Sequence, residues 1–287
     1  MTRPKKPKLF LILICTMIAI PSVMNAEDCN QNEEEKIRES DLSTLRRGSF
    51  SDKTNVLKKL NAVAEKCPFN QYITNEIISV AEADQKREEY LSAGEAGELY
   101  ISQLVKALGN THDPRAVPYL MRFFGGGTAV DRSLVKIGDA AIDPLLLKLS
   151  NDSPGYRSSA ALALSLFLKP NQQGSAAKGK EKDKIKEALI KEWRNPINQN
   201  PERSIQWYGI RAQERANVRR NIITALGYLA ETEDKDVVPI IESAAEKDPY
   251  YLDMSKKKDY TGPQKRYPVR EEAKKILERL KGKESTK

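Results

Sequence analysis

The sequence has few of the residues from which active sites and metal centres are most often built. One histidine, His112, serves all 287 residues, so imidazole acid–base chemistry has a single possible location. No Gly-x-Ser-x-Gly or His-Glu-x-x-His pattern occurs, and no nucleophile has an evident base beside it. The triple glycine Gly125 to Gly127 has no Gly-Lys-Ser/Thr and no preceding strand, which excludes a phosphate-binding loop and leaves a tight turn. Aromatic residues make up only 7%. Beyond the first 26 residues no apolar run is long enough to span a bilayer. With 31% charged residues and apolar runs of helical length, this is the composition of a soluble, all-helical chain.

His112 lies in an Asn-Thr-His-Asp-Pro turn, where it is expected to be exposed and structural. Glu271 and Glu272 lie among lysines at the spacing of solubilising helix-surface ion pairs rather than of a catalytic dyad. We therefore expect no enzyme and no cofactor or metal. An enzyme with an unfamiliar site remains the third alternative.

The N-terminus has its own pattern. Arg3, Lys5, Lys6 and Lys8 precede an apolar run from Leu9 to Ile20, followed by Pro21, Ser22 and an Asn25-Ala26 end. A basic region, a short apolar core and a small-residue end form a secretory signal over 1–26, with an uncleaved anchor as the alternative. The expected location is exported, periplasmic or secreted. The chain carries a formal charge of +8, of which the four basic residues of this segment supply half, leaving 44 basic against 40 acidic side chains. The remainder is polarised: residues 27–96 hold 10 basic and 15 acidic side chains, and 170–287 hold 26 and 19.

Once Cys15 leaves with the signal, Cys29 and Cys67 remain. In an oxidising compartment they most simply form one disulfide, with two free thiols or an intermolecular bond as alternatives. Two cysteines and one histidine are too few for a structural zinc site.

The centre of the chain repeats itself. Leu99–Gly109, Val130–Gly138 and Tyr156–Leu166 carry apolar residues at helical spacing, and between them stand Asp113–Leu120 (DPRAVPYL) and Asp139–Leu146 (DAAIDPLL). Gly109 and Gly138 suit left-handed helix-closing positions, and Asp113 and Asp139 suit caps on the helices that follow. One such pair has too little apolar surface to bury alone, so stacking completes its core.

The Asp113–Leu120 stretch, Lys136–Ala141 (KIGDAA) and Arg157–Leu164 (RSSAALAL) resemble HEAT-like repeats of the compact bacterial kind, including those of the phycobilisome-lyase class. The resemblance covers roughly 70–281. It implies an all-α fold, an α-solenoid of stacked antiparallel helix pairs forming a HEAT-like superhelix. It implies little about function, because the matching residues are structural.

The expected organisation is a signal at 1–26, an N-terminal segment and capping helix at 27–69, repeats at 70–281 and a frayed tail at 282–287. Residues 27–41 are read as extended or weakly helical. Helices are expected at 53–67, 70–91, 99–108, 114–124, 128–137, 139–150 and 155–168. Later helices are centred on Ile185 to Trp193, Val218 to Leu229, Asp236 to Ile241 and Val269 to Leu280. Loop insertions are expected at 170–183, 195–213 and 248–268.

The last two insertions occupy equivalent places in consecutive repeats, so they are expected along one edge. They carry Trp207, Tyr208, Arg211, Tyr250, Tyr251, Lys256, Lys257, Lys258, Tyr260, Lys265, Arg266 and Tyr267. These side chains either pack the loops onto the helices or form a contact surface, since aromatics offer rigid apolar area and arginine offers forked donors. The lysines are solvated charge on one reading and contacts to an anionic envelope polymer on the other. Export disfavours nucleic acid, so a protein partner is the leading expectation for a non-catalytic scaffold.

Overall fold

The computed structural model describes residues 37–84, 92–125, 128–169, 177–199, 205–206, 210–230, 235–253, 261–263 and 265–284. They are all-helical apart from three two-residue strands. In chain order the helices are α1 (Glu39–Arg47), α2 (Phe50–Ala64), α3 (Gln71–Ala83), α4 (Glu95–Asn110), α5 (Val117–Arg122), α6 (Thr128–Ile137), α7 (Ile142–Leu149), α8 (Pro154–Leu168), α9 (Gly179–Arg194), α10 (Pro196–Gln199), α11 (Ile210–Ala230), α12 (Val238–Lys247) and α13 (Pro268–Glu284). Strand β1 is Ile205–Gln206, β2 is Leu252–Asp253 and β3 is Lys265–Arg266. Short 3-10 turns, Pro114–Ala116 and Asp139–Ala141, lead into α5 and α7.

Local chemistry sets many of these boundaries. Ser49 opens α2 by accepting from the Asp52 amide, and the Asp52 carboxylate accepts in return from Ser49, a reciprocal cap. Asn70 caps α3 through the Ile73 amide at 2.8 Å. In α4 the buried Tyr100, Leu104, Val105 and Leu108 recur at helical spacing. Helices α2, α4, α6, α8, α11 and α13 then form a succession in which each touches the next. The buried apolar side chains from Ile37 to Ile276 make one continuous core.

Several expectations require correction. Gly109 does not close a helix but lies buried inside α4. A Cβ there would stand 2.6 Å from the Ser133 Cβ of α6 and 2.7 Å from its Cα. Glycine is present because two backbones approach closely, and Ser133 Oγ donates to the Val105 carbonyl at 2.9 Å across the same contact. The left-handed residue after α4 is His112, with φ 52°. It is exposed, and its Nδ1 is 2.8 Å from the Lys136 carbonyl oxygen. Gly138 does take a positive φ of 93°, whereas Asp139 makes no side-chain cap. Asp113 does cap, accepting from the Arg115 amide at 2.9 Å.

Other boundaries also move. Residues 39–47 are helical, α2 starts earlier than expected, and α3 ends at Ala83 with Asp84 as its C-cap. Helix α9 begins at Gly179, inside the first expected insertion, while α10 and the start of α11 occupy the two ends of the second. Helix α13 continues through Glu284, so residues 282–284 are not a frayed tail. No helix among the described residues is long and apolar enough to cross a membrane.

Gly109→Ala tests the close approach. The substitution gains about 1 kcal/mol of helix propensity, but the new methyl meets backbone as well as side chain. Overpacking costs about 1–3 kcal/mol, and contact with backbone as close as 2.7 Å puts this site at the upper end, so the expected result is a net loss of up to about 2 kcal/mol in chemical denaturation. The double variant Gly109→Ala/Ser133→Gly should recover part of it.

Candidate loop-edge surface

The surface is built on a buried polar layer. Arg157 in the first turns of α8 is only 2% exposed. Its Nη1 donates to the carbonyls of Asn151 and Asp152 at 2.8 and 3.0 Å, and its Nη2 donates to Asn198 Oδ1 at 3.2 Å. Asn198 in α10 donates in turn to Glu192 Oε1 at 2.6 Å and to the Glu192 carbonyl at 3.0 Å. Glu192 Oε1 also stands 3.4 Å from Arg157 Nε. The end of α9 and the turn of α10 are thereby fixed against α8. A charge placed in an apolar interior needs such partners.

Arg219 of α11 makes the second half of the layer. Its Nε donates to Asp248 Oδ2 at 2.7 Å, and Nη2 approaches the same oxygen at 2.6 Å. The guanidinium carbon lies 3.6 Å from the Trp193 ring centroid and 5.8 Å from that of Tyr250. Asp248 Oδ1 accepts from the Tyr250 amide at 3.1 Å, and the Asp248 carbonyl accepts from Arg270 Nε of α13 at 2.6 Å. Burial pushes the Asp248 carboxyl above its ordinary value, against the opposing pull of Arg219 and the Tyr250 amide. The chain leaving α12 is therefore clamped between α11 and α13.

The strands follow from this clamp. β1 pairs with β2 in parallel, Ile205 opposite Leu252 and Gln206 opposite Asp253. β2 pairs with β3 antiparallel, Leu252 opposite Arg266 and Asp253 opposite Lys265. Segments from both later insertions thus share one small sheet. Beside it Tyr251 and Tyr267 pack with ring centroids 5.8 Å apart. Lys265 Nζ lies 4.6 Å from the Tyr251 centroid, and the Arg270 guanidinium lies 4.3 Å from that of Tyr267. Arg266 pairs with Glu271, whose carboxyl it holds below the ordinary range.

The expected contact residues separate accordingly. Lys265 and Arg266 are exposed, and Tyr251 and Tyr267 are half-buried beside them. Tyr250 is only 3% exposed, so it packs the loop and is not a contact residue. Trp207, Tyr208, Lys256, Lys257, Lys258 and Tyr260 lie outside the described residues, as does the side chain of Arg211. Cys67 is buried and disulfide-bonded, while Cys29 lies outside the described residues.

Sequence reasoning missed Arg157, Glu192, Asn198, Arg219 and Asp248. Arg157 and Arg219 adjoin apolar helical positions, a signal that can also describe a snorkelling surface residue. No group of three or more His, Cys, Asp and Glu is placed to hold a metal among the described residues. A groove of about 210 Å³ at the other end of the chain is lined by Ile37, Glu39, Leu42, Asn70, Tyr72 and Ile73. Its Tyr72 hydroxyl donates to Glu39 at 2.9 Å. Compared with known protein families and with curated proteins, the chain has no significant match.

Proposed function

We propose that the chain is an exported, non-catalytic scaffold of HEAT-like repeats that binds another protein through the loop edge around β2 and β3. The observation that carries this reading is the buried Arg219–Asp248 pair, which anchors the segment leading into β2. Two buried charges cost desolvation to position, and here they hold two distant loops as one surface, so the surface meets a partner already ordered. The succession from α2 through α13, with α3, α5, α7, α9 and α12 between its members in sequence, supports stacked antiparallel pairs as the architecture. The basic, apolar N-terminus supports export. The disulfide at Cys67 supports an oxidising compartment, and Cys29 is its proposed partner.

The test is a crosslinking pull-down from the exporting cell's envelope, comparing the unaltered chain with Tyr251→Ser/Lys265→Glu/Tyr267→Ser. Both proteins should give the same circular dichroism. Recovery of a specific protein should fall at least about tenfold with the variant, since losing two or more central contacts of about 1 kcal/mol each is sufficient. Equal recovery would place the binding surface elsewhere.

A second reading has its own supporting observation, the exposed and basic Lys265 and Arg266 on an edge strand. On that reading the edge takes an anionic envelope polymer. Retention on such a polymer should then weaken steeply with salt, because exposed charges are screened within about 10 Å at 0.1 M.

A further inference from the structure

We propose that the unburied side of α6, α8 and α11 docks an amphipathic helix of a partner protein, with apolar residues along its centre and carboxylates on both flanks. This surface is separate from the loop edge and would act in addition to it.

The three helices are neighbours in the succession. Helix α8 touches both α6 and α11, while α5 packs on α6, α7 on α8 and α9 on α11. The stripe that stays unburied on each therefore lies on the remaining side, next to the other two. It carries Arg132 and Lys136 on α6, Leu162 and Leu166 on α8, and Arg220 and Tyr228 on α11. Residues four apart share a helix face, so the three stripes run along their helices as basic, apolar, and basic with aromatic. No carboxylate stands among the unburied residues of α6, of α8 or of α11 from Asn217 to Ala230, since Asp131 is buried.

The charges of this side lack acidic partners. Arg132 and Arg220 are exposed, and neither side chain has a hydrogen bond or ion pair among the described residues. On the α13 side Glu272 is engaged by the Thr224 hydroxyl at 3.3 Å. Lys136 donates to Asn110 Oδ1 at 2.6 Å, and the Asn110 amide donates to Asn61 Oδ1 at 3.0 Å, so neutral groups hold the amine in place. Burial and the neighbouring Lys106 keep Lys136 below its ordinary pKa, against the pull of Glu65. An incoming carboxylate would counter that depression.

Cations alone would suit any polyanion, but these flank an apolar strip. Leu162, Leu166 and Tyr228 are half-buried, and a purely charged polymer would leave their remaining apolar area in water. Packed helices lie about 8–10 Å apart, so the distance across α8 from α6 to α11 is about 16–20 Å. One further helix, about 10–12 Å across with its side chains, can lie along α8 within that width. Apolar residues at three- and four-residue spacing would then rest on the two leucines, the helix-in-groove mode of peptide recognition. The flanks of the incoming helix would face Arg132 and Lys136 on one side and Arg220 on the other. Arginine's forked donors match carboxylates there.

The experiment uses the full chain and fluorescein-labelled three-heptad peptides, measured by anisotropy. The probe is acetyl-(Glu-Leu-Glu-Ala-Leu-Leu-Gln)3-amide, which as a helix sets leucines on one face and a glutamate on each flank. One control replaces every glutamate with lysine, and the other rearranges the same residues so that the leucines scatter around the helix. The acidic probe should bind at least tenfold more tightly than either control. Arg132→Glu/Arg220→Glu should weaken it at least tenfold while leaving the circular dichroism of the chain unchanged, and Lys265→Glu should leave it within twofold. Equal binding of the rearranged peptide would show charge attraction without a groove and overturn the proposal. Dextran sulfate binding at least as tightly, with the same response to the double variant, would assign the surface to a polyanion and overturn it too. Weakening by Lys265→Glu but not by the arginine variant would move the acidic helix to the loop edge, and no binding of the acidic probe would reject the docking surface outright. The pull-down that tests the loop edge alters different residues, so either reading can fail alone.

Discussion

Replacing Arg219 by Met is expected to lower the unfolding free energy by about 3–5 kcal/mol, the usual cost of removing one member of a buried ion pair. Met keeps much of the side-chain volume, so the loss reports the charge and its hydrogen bonds. Asp248, only 3% exposed, would keep the Tyr250 amide as a partner but lose the cation beneath it. Its carboxyl is already raised by burial, and without Arg219 it would rise further. The sign of the pH response follows. A carboxyl whose folded pKa exceeds its unfolded value holds a proton more tightly when folded, so stability falls as pH rises between the two values. The Arg219→Met chain should therefore be hurt least in acid.

Asp248→Leu alone should be comparably damaging, because it leaves the guanidinium buried against Trp193 without its carboxylate. The double variant should recover at least about 2 kcal/mol relative to the sum of the single losses, as expected for a directly coupled pair. Chemical denaturation of the four proteins gives the cycle. Hydrogen exchange at 252–253 and 265–266 should accelerate in both single variants, since the clamp holds the segment leading into β2. Additive losses with unchanged exchange there would mean that the pair does not organise the sheet.

Asp131→Asn is expected to stabilise the chain, and only at higher pH. Asp131 lies in the first turns of α6, is 2% exposed, and has no hydrogen-bond partner at Oδ1. Burial alone raises its carboxyl from 3.8 to about 7. Below the unfolded value both states are protonated and the group contributes no pH dependence. Between about 4 and 7 the folded chain holds a proton that the unfolded chain has released, so stability declines as pH rises. Above about 7 both states are ionised and the full penalty is present. At about 1.4 kcal/mol per pH unit of difference, the penalty is on the order of 2–4 kcal/mol after allowing for relaxation around the charge. Asparagine has nearly the same shape and does not ionise. The stability advantage of the variant should thus be near zero at pH 4 and reach its full size by pH 8. A difference independent of pH would sink this assignment. The comparison is best read from denaturation midpoints across that range.

The legible parts of the chain are those governed by local rules. Helices α6 and α8 lie within a residue or two of their expected bounds, because their apolar residues recur at helical spacing and prolines or glycines bracket them. Asp113 caps the following turn as its residue type suggests. The beginning of α11 was not legible, since Arg211 to Asn217 carries no apolar stripe and propensity alone is a weak signal. Gly109 shows the same limit at one residue. Its sequence neighbours suggest a helix end, and it does stand one residue from the end of α4, but only the approach of Ser133 from α6 explains why glycine is there.

The candidate surface divides in the same way. Its tyrosines and lysines were visible as composition in two loops, but burial distinguishes Tyr250 from Tyr251, and that depends on Arg219 and Asp248 meeting from elements 29 positions apart. Asp131, too, is indistinguishable by residue type from a surface acid on an amphipathic helix. By itself the sequence determined the all-helical class, most helix cores and the loops that interrupt them, because 3.6-residue periodicity and turn residues act over a few positions. Tertiary structure alone decided which charges are buried, which glycine marks a close contact and which loop segments become strands. Each of those outcomes depends on a partner remote in the chain, and desolvation, steric contact and backbone pairing take effect only once that partner has arrived.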